Sequence, residues 1–100
     1  MGLNVLWTLS AQQDRIKVFE YWNERTRSRD YSQKLNEIIR HRISLIKEYP
    51  NSGLITDRPG VRYHIIARHY KLFYKIDGET VYLLRFWDTR QDPDKLKLNL

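Results

Sequence analysis

Apolar positions along the chain change period once, close to residue 60. Upstream they recur at spacings of three and four; downstream they alternate. A short β-prone run, NVLWTL at residues 4–9, comes first, with Trp7 near its centre. Ser10 ends that run. Ser10 followed by Gln13 is a capping-box pattern, which predicts a helix from Ala11 to about Arg25. Ile16, Phe19 and Trp22, with Val18 beside them, form its apolar face; Arg15, Lys17, Glu20 and Glu24 form the other. Residues 26–30 interrupt the pattern. Asp30, with Gln33 at the third position, predicts the cap of a second helix. Leu35, Ile38, Ile39, Ile43, Leu45, Ile46 and Tyr49 then make a broad apolar stripe. Pro50 stops the helix, because it lacks an amide and biases Tyr49 away from helical geometry. Two helices with a short link predict a helical hairpin.

Pro50-Asn51-Ser52-Gly53 reads as a turn and residues 54–60 as an irregular connection ending in Pro59-Gly60. Period two then takes over. Val61, Tyr63, Ile65 and Ala67 alternate with Arg62, His64, Ile66 and Arg68. Tyr70, Leu72, Tyr74 and Ile76 alternate with Lys71, Phe73 and Lys75, and Asp77-Gly78 signals a hairpin. Residues 80–87 are nearly continuously apolar apart from Arg85, as befits a central strand covered on both faces. Asp92-Pro93 predicts a last helical turn, with Leu96, Leu98 or Leu100 docking back. The order β-α-α-β-β-β predicts one α+β domain over residues 1–100. Its helical hairpin packs on one face of a twisted antiparallel sheet and leaves the other partly open.

Composition agrees with a single globular core: 41% of 100 residues are hydrophobic and 13% aromatic. The chain has no cysteine, which excludes a disulfide framework or thiolate metal site. No apolar run approaches the roughly 20 residues of a membrane span, and the N-terminus lacks a signal-peptide pattern. These features place the expected site of action in the cytoplasm, with no membrane partner. The net charge of +6 is spread evenly, each half carrying nine Lys or Arg against six Asp or Glu. Such a surface favours polyanions: nucleic acid, a ribosome or an acidic protein.

The alternating strands carry the candidate chemistry. Arg62, His64 and Arg68 belong to one alternating set, Lys71 and Lys75 to the analogous set on the next strand, and Arg90 follows the last. If these share the open face, they suit phosphate. Arg offers a planar fork, Lys a point charge, and His64, His69 or a Lys71 of lowered pKa a base for attack by a ribose 2′-hydroxyl. Charged residues alternating on a solvated strand face give the same pattern without any site. His64 and His69 have no carboxylate or thiolate at ligand spacing, so no metal or other cofactor is expected. The four glycines are isolated, which excludes a glycine-rich phosphate loop. Trp7, Trp22 and Trp87 read as core.

Several stretches together resemble the RelE/ParE superfamily of bacterial type II toxins. They are the Pro-Asn-Ser-Gly turn after the second helix, Gly60-Val61-Arg62, Tyr70-Lys71-Leu72-Phe73-Tyr74, and Leu84-Arg85-Phe86-Trp87-Asp88-Thr89-Arg90-Gln91-Asp92-Pro93. The resemblance covers nearly the whole chain and implies a growth-inhibiting toxin neutralised by a cognate antitoxin, through which it would reach operator DNA. Two activities divide the superfamily. RelE-like members cleave ribosome-bound mRNA without a metal; ParE-like members inhibit DNA gyrase. Lys71 stands where RelE-like toxins often carry an active-site Arg, and Arg90 matches the Arg after the last strand. The C-terminal Tyr of such nucleases has no counterpart, Leu96 lying near its place. Gly60-x-Arg62 and Arg90-Gln91-Asp92-Pro93 are closer to the ParE side. The size of the basic set favours a ribosome-dependent endoribonuclease, with Lys71, Arg90 and His64 as candidate catalytic residues and Arg62, Arg68 and Lys75 as phosphate contacts. The alternatives are a gyrase inhibitor acting by protein–protein binding, or a non-toxic member acting only with its antitoxin.

Overall fold

The computed structural model describes residues 2–98. Strand β1 (Asn4–Trp7) leads into helices α1 (Leu9–Thr26) and α2 (Asp30–Glu48). A two-residue strand β2 (Leu54–Ile55) follows, then β3 (Val61–Ile66), β4 (Tyr70–Asp77) and β5 (Thr80–Asp88), and a 3-10 turn at Pro93–Lys95. The helices pack on one face of the sheet, giving the α+β architecture that the pattern predicts.

The first helix starts earlier than its capping box. Its cap is Thr8, whose Oγ1 accepts from the Ala11 amide at 3.2 Å and donates to the Leu83 carbonyl at 2.8 Å. Bonding to both the helix and β5 selects Thr8 over Ser10. At the second helix, Arg29 is the cap residue without a side-chain bond, and Asp30 is the first helical residue, where its charge suits the positive helix end. Arg27, in the left-handed region at φ 55°, reverses the chain between the helices. Pro50 ends α2 as predicted, with Glu48 the last helical residue.

On α1 the side toward the core is set by Ala11, Val18 and Trp22, at spacings of seven and four, with Phe19 beside them. Ile16 is 45% exposed, because it stands five residues from Ala11 and two from Val18, spacings that turn it away from that stripe. Leu35, Ile39 and Ile46 of α2 complete the helical side of the core, against Ile66, Tyr70, Leu72, Tyr74, Val81, Leu83 and Phe86.

The strand order is β1-β5-β4-β3-β2. The meander is antiparallel, but β1 runs parallel to β5, so the sheet is mixed. A parallel pair needs a long crossover, and here the helices and the meander supply it. Part of the connection expected to be irregular is β2, paired with Arg62 and Tyr63.

Register assigns the faces. Arg62, His64 and Ile66 lie opposite Tyr74, Leu72 and Tyr70 on the helix side, whereas Val61, Tyr63 and Ile65 lie opposite Lys75, Phe73 and Lys71 on the other. A bulge inserts Leu84 where Phe73 faces Arg85 and Tyr74 faces Leu83. Leu83 therefore joins the main core while Leu84 joins a second cluster with Val61, Phe73 and Trp87. This explains the nearly continuous apolar run of β5. The tail turns back over that second cluster. Asp92 accepts from the Asp94 amide at 3.0 Å, and Leu96 and Leu98 pack beside Tyr63 and Tyr82. Leu100 lies outside the described residues. Among the described residues no helix is long and apolar enough to cross a membrane.

Candidate functional site

The sheet divides the cationic set rather than gathering it. Lys71 and Lys75 are on the face away from the helices. The Lys71 Nζ lies 4.4 Å from the Tyr63 ring centroid, a cation–π contact. Arg62 and His64 share the opposite face, so the expectation of one basic face is corrected. The reason is the side-chain period: Arg62 pairs with Tyr74, and both are even-numbered partners on the core side, while Lys71 pairs with Ile65.

Arg62 is committed to the turn after α2. Its Nη1 donates to the carbonyls of Gly53 at 2.9 Å and Asn51 at 3.3 Å. Tyr74 holds the same turn from the core: its hydroxyl donates to the Pro50 carbonyl at 2.7 Å and accepts from the Gly53 amide at 3.0 Å. His64 is buried, and its Nε2 lies 2.9 Å from Ser52 Oγ. Burial pushes its pKa down, and the nearby Arg42 charge pushes it further. Its imidazole is thus kept neutral, but on the far side of the sheet from Lys71. Arg68 is exposed on the β3–β4 turn, in the left-handed region at φ 73°.

Arg90 follows β5, at the end of the sheet where Thr89 donates to the His69 carbonyl of the β3–β4 turn. It grips Asp88 through two side-chain bonds, Nε to Oδ1 at 3.0 Å and Nη2 to Oδ2 at 2.8 Å, and its amide donates to Oδ1 at 2.9 Å. The hydrogen bond from Arg90 holds the Asp88 carboxyl below the usual carboxylate range, and the same bond raises Arg90. The pair borders a pocket of about 330 Å³ lined by Lys17, Tyr21, Tyr70 and Gln91 among others. Tyr70 accepts from Trp22 Nε1 at 2.8 Å, and burial pushes its phenol up. Lys17 and Tyr21 were not legible as neighbours of Arg90, because their helix meets β5 only in the folded chain.

Arg85, which reads in sequence as an interruption of a strand, is a structural clamp. Its Nε and Nη2 donate to Asp14 at 2.6 and 2.9 Å, and Asp14 Oδ2 also accepts from the Phe86 amide at 3.0 Å. The α1 carboxylate thus serves the β5 edge beyond the point where β1 ends. The sheet thus sets Lys71 and His64 on opposite faces, and Arg90 is paired with Asp88.

The family model described as "ParE toxin of type II toxin-antitoxin system, parDE" matches residues 5–93. Among solved structures the chain is similar to one described as "Chromosomal ParDE TA system from P. aeruginosa", with a TM-score of 0.72 and 18% sequence identity. The match covers 86% of this chain and 95% of that one, a likeness of fold. No curated protein matches the sequence.

Proposed function

The chain belongs to the ParE toxin family of type II toxin–antitoxin systems, and from that premise we propose that it is a growth inhibitor that binds DNA gyrase and is neutralised by a cognate antitoxin. The observation that carries this reading is the family match across residues 5–93, nearly the whole domain. The register supports it from the other direction. A nuclease of the kind the basic set suggested needs a base, an acid and cationic stabilisation converging on one phosphate. Here Arg62 braces a turn, His64 faces the helix side, and Lys71 lies across the sheet. A protein–protein inhibitor needs no such convergence. It needs surface, and α1 offers exposed Leu9, Ile16 and Tyr21. The +6 charge suits an acidic antitoxin, and steering by long-range charge would speed its capture. On this reading the toxin acts in the cytoplasm and meets operator DNA only through its antitoxin.

The test is a supercoiling assay with purified gyrase and this chain. Inhibition with accumulated DNA breaks, relieved by the antitoxin, is expected, and Lys71→Ala should retain it. Primer extension on mRNA in a translating extract is the counter-test. Cuts that appear only with ribosomes, with gyrase unaffected, would replace this reading with the endoribonuclease one.

A further inference from the structure

A second pocket, of about 370 Å³, opens beside β3. Four elements supply its polar lining: Arg42 from α2, Ser52 from the turn after it, His64 from β3, and Arg68 from the β3–β4 turn. Leu54, largely exposed, gives it an apolar border. None of its lining residues is acidic. The ion pairs among the described residues are Arg85–Asp14 and Arg90–Asp88, so Arg42 and Arg68 face the pocket without a carboxylate. His64 is 8% exposed, a buried polar side chain bordering the cavity. We propose that this pocket is a binding site for the phosphate group of a small organic ligand, gripped by Arg42, Arg68 and Ser52, with His64 orienting the serine hydroxyl.

The donors arrive from separate elements, and guanidinium groups with a serine hydroxyl are groups that suit phosphate oxygens. The Ser52–His64 contact of 2.9 Å completes the arrangement. With the proton on Nε2, the imidazole donates to Ser52 Oγ and the serine hydroxyl is free to donate to a phosphate oxygen. The β3–β4 turn adds a separate observation. Ala67 and Arg68 are both left-handed, at φ 49° and 73°, a conformation that L residues adopt only at a cost. The tight hairpin between β3 and β4 requires that conformation, and it places Arg68 on the lining of the pocket. The exposed Leu54 gives an organic substituent a surface to lie on. The proposal does not depend on the target of the toxin.

The experiment is an NMR titration of the full chain, following the imidazole signals of His41, His64 and His69. The probes are inorganic phosphate, adenosine monophosphate and acetate. Saturable movement of His64 with the two phosphates, larger than that of His41 and His69, is expected. Arg42→Gln and Arg68→Gly should each weaken binding by about tenfold or more, as loss of a charge-assisted contact does. The glycine variant suits φ 73°, so loss of binding there is not loss of fold. Tighter binding of adenosine monophosphate assigns the site to an organic phosphate; equal binding assigns it to the free ion. No movement of His64, equal movement of all three histidines, or the same response to acetate overturns the proposal.

Discussion

Gly53 is buried against Tyr74, and a Cβ built there would stand 2.7 Å from the Tyr74 Cε1 and Oη and 3.0 Å from Arg62 Cβ. Tyr74 is 1% exposed and bonded at its hydroxyl, so it has no room to move. Gly53→Ala is expected to destabilise by about 2–3 kcal/mol, as overpacking of a filled core does; a unchanged urea midpoint would show that the turn can shift as a unit. His64 gives a second prediction at this scale. Burial and Arg42 keep its folded pKa below the ordinary imidazole value of about 6.5. The unfolded chain therefore takes up a proton at a pH where the folded chain does not. Stability is full above about pH 6.5 and declines as pH falls from there toward the lowered folded value. Urea midpoints followed from about pH 7.5 to 5 should decrease, and less steeply in His64→Asn. An identical slope in the two proteins would assign the acid sensitivity to other groups. As a residue, His64 was legible in the sequence as a candidate. Its partners Arg42 and Ser52 were not, because nothing in local spacing joins α2, a turn and β3.

At the scale of elements, the junction of β1, α1 and β5 bears most on stability. Beyond Trp7, β5 loses its parallel neighbour, and Thr8 and Asp14 take over the exposed edge. Asp14→Ala removes two bonds from Arg85 and one from the Phe86 amide, leaving a partly buried guanidinium without its partner. A loss of about 2–3 kcal/mol is expected, and chemical denaturation measures it. Thr8→Ala removes the helix cap together with the bond to Leu83, for an expected loss of about 1–2 kcal/mol. Ser10→Ala, the cap read from sequence, should change little. If Ser10→Ala cost more than Thr8→Ala, the helix would begin where the capping box places it. The capping box misled because Ser10 and Gln13 satisfy a local rule, while the choice of cap is made by β5, whose Leu83 lies 75 residues from Thr8.

For the molecule as a whole, the tail closes a second small core. Val61, Phe73, Leu84 and Trp87 are buried on the face away from the helices, with Leu96 and Leu98 packed against them. Ending the chain after Asp92 removes that cover. Roughly 2 kcal/mol of stability should be lost, from two half-buried leucines, and the uncovered apolar patch should promote association. Thermal unfolding and light scattering test the two effects. A monomeric, equally stable truncated chain would mean that the cluster needs no cover.

Local chemistry was enough to place the large elements. Pro50 cannot continue a helix, the stripe from Leu35 to Ile46 has helical period, Asp77-Gly78 turns a hairpin, and Asp92 starts the last turn. These are properties of adjacent residues, so the sequence by itself determined them, along with the ordered motifs that carry the family. Tertiary structure decided what depends on distant partners: that β1 runs parallel to β5, that Leu84 is a bulge, and that Thr8 rather than Ser10 caps α1. It also decided the fate of the basic set. Alternation identifies two faces of each strand but not which face of one strand meets which face of the next. Only the pairing of Arg62 with Tyr74 and Lys71 with Ile65 puts Arg62 and His64 on one side and the lysines on the other.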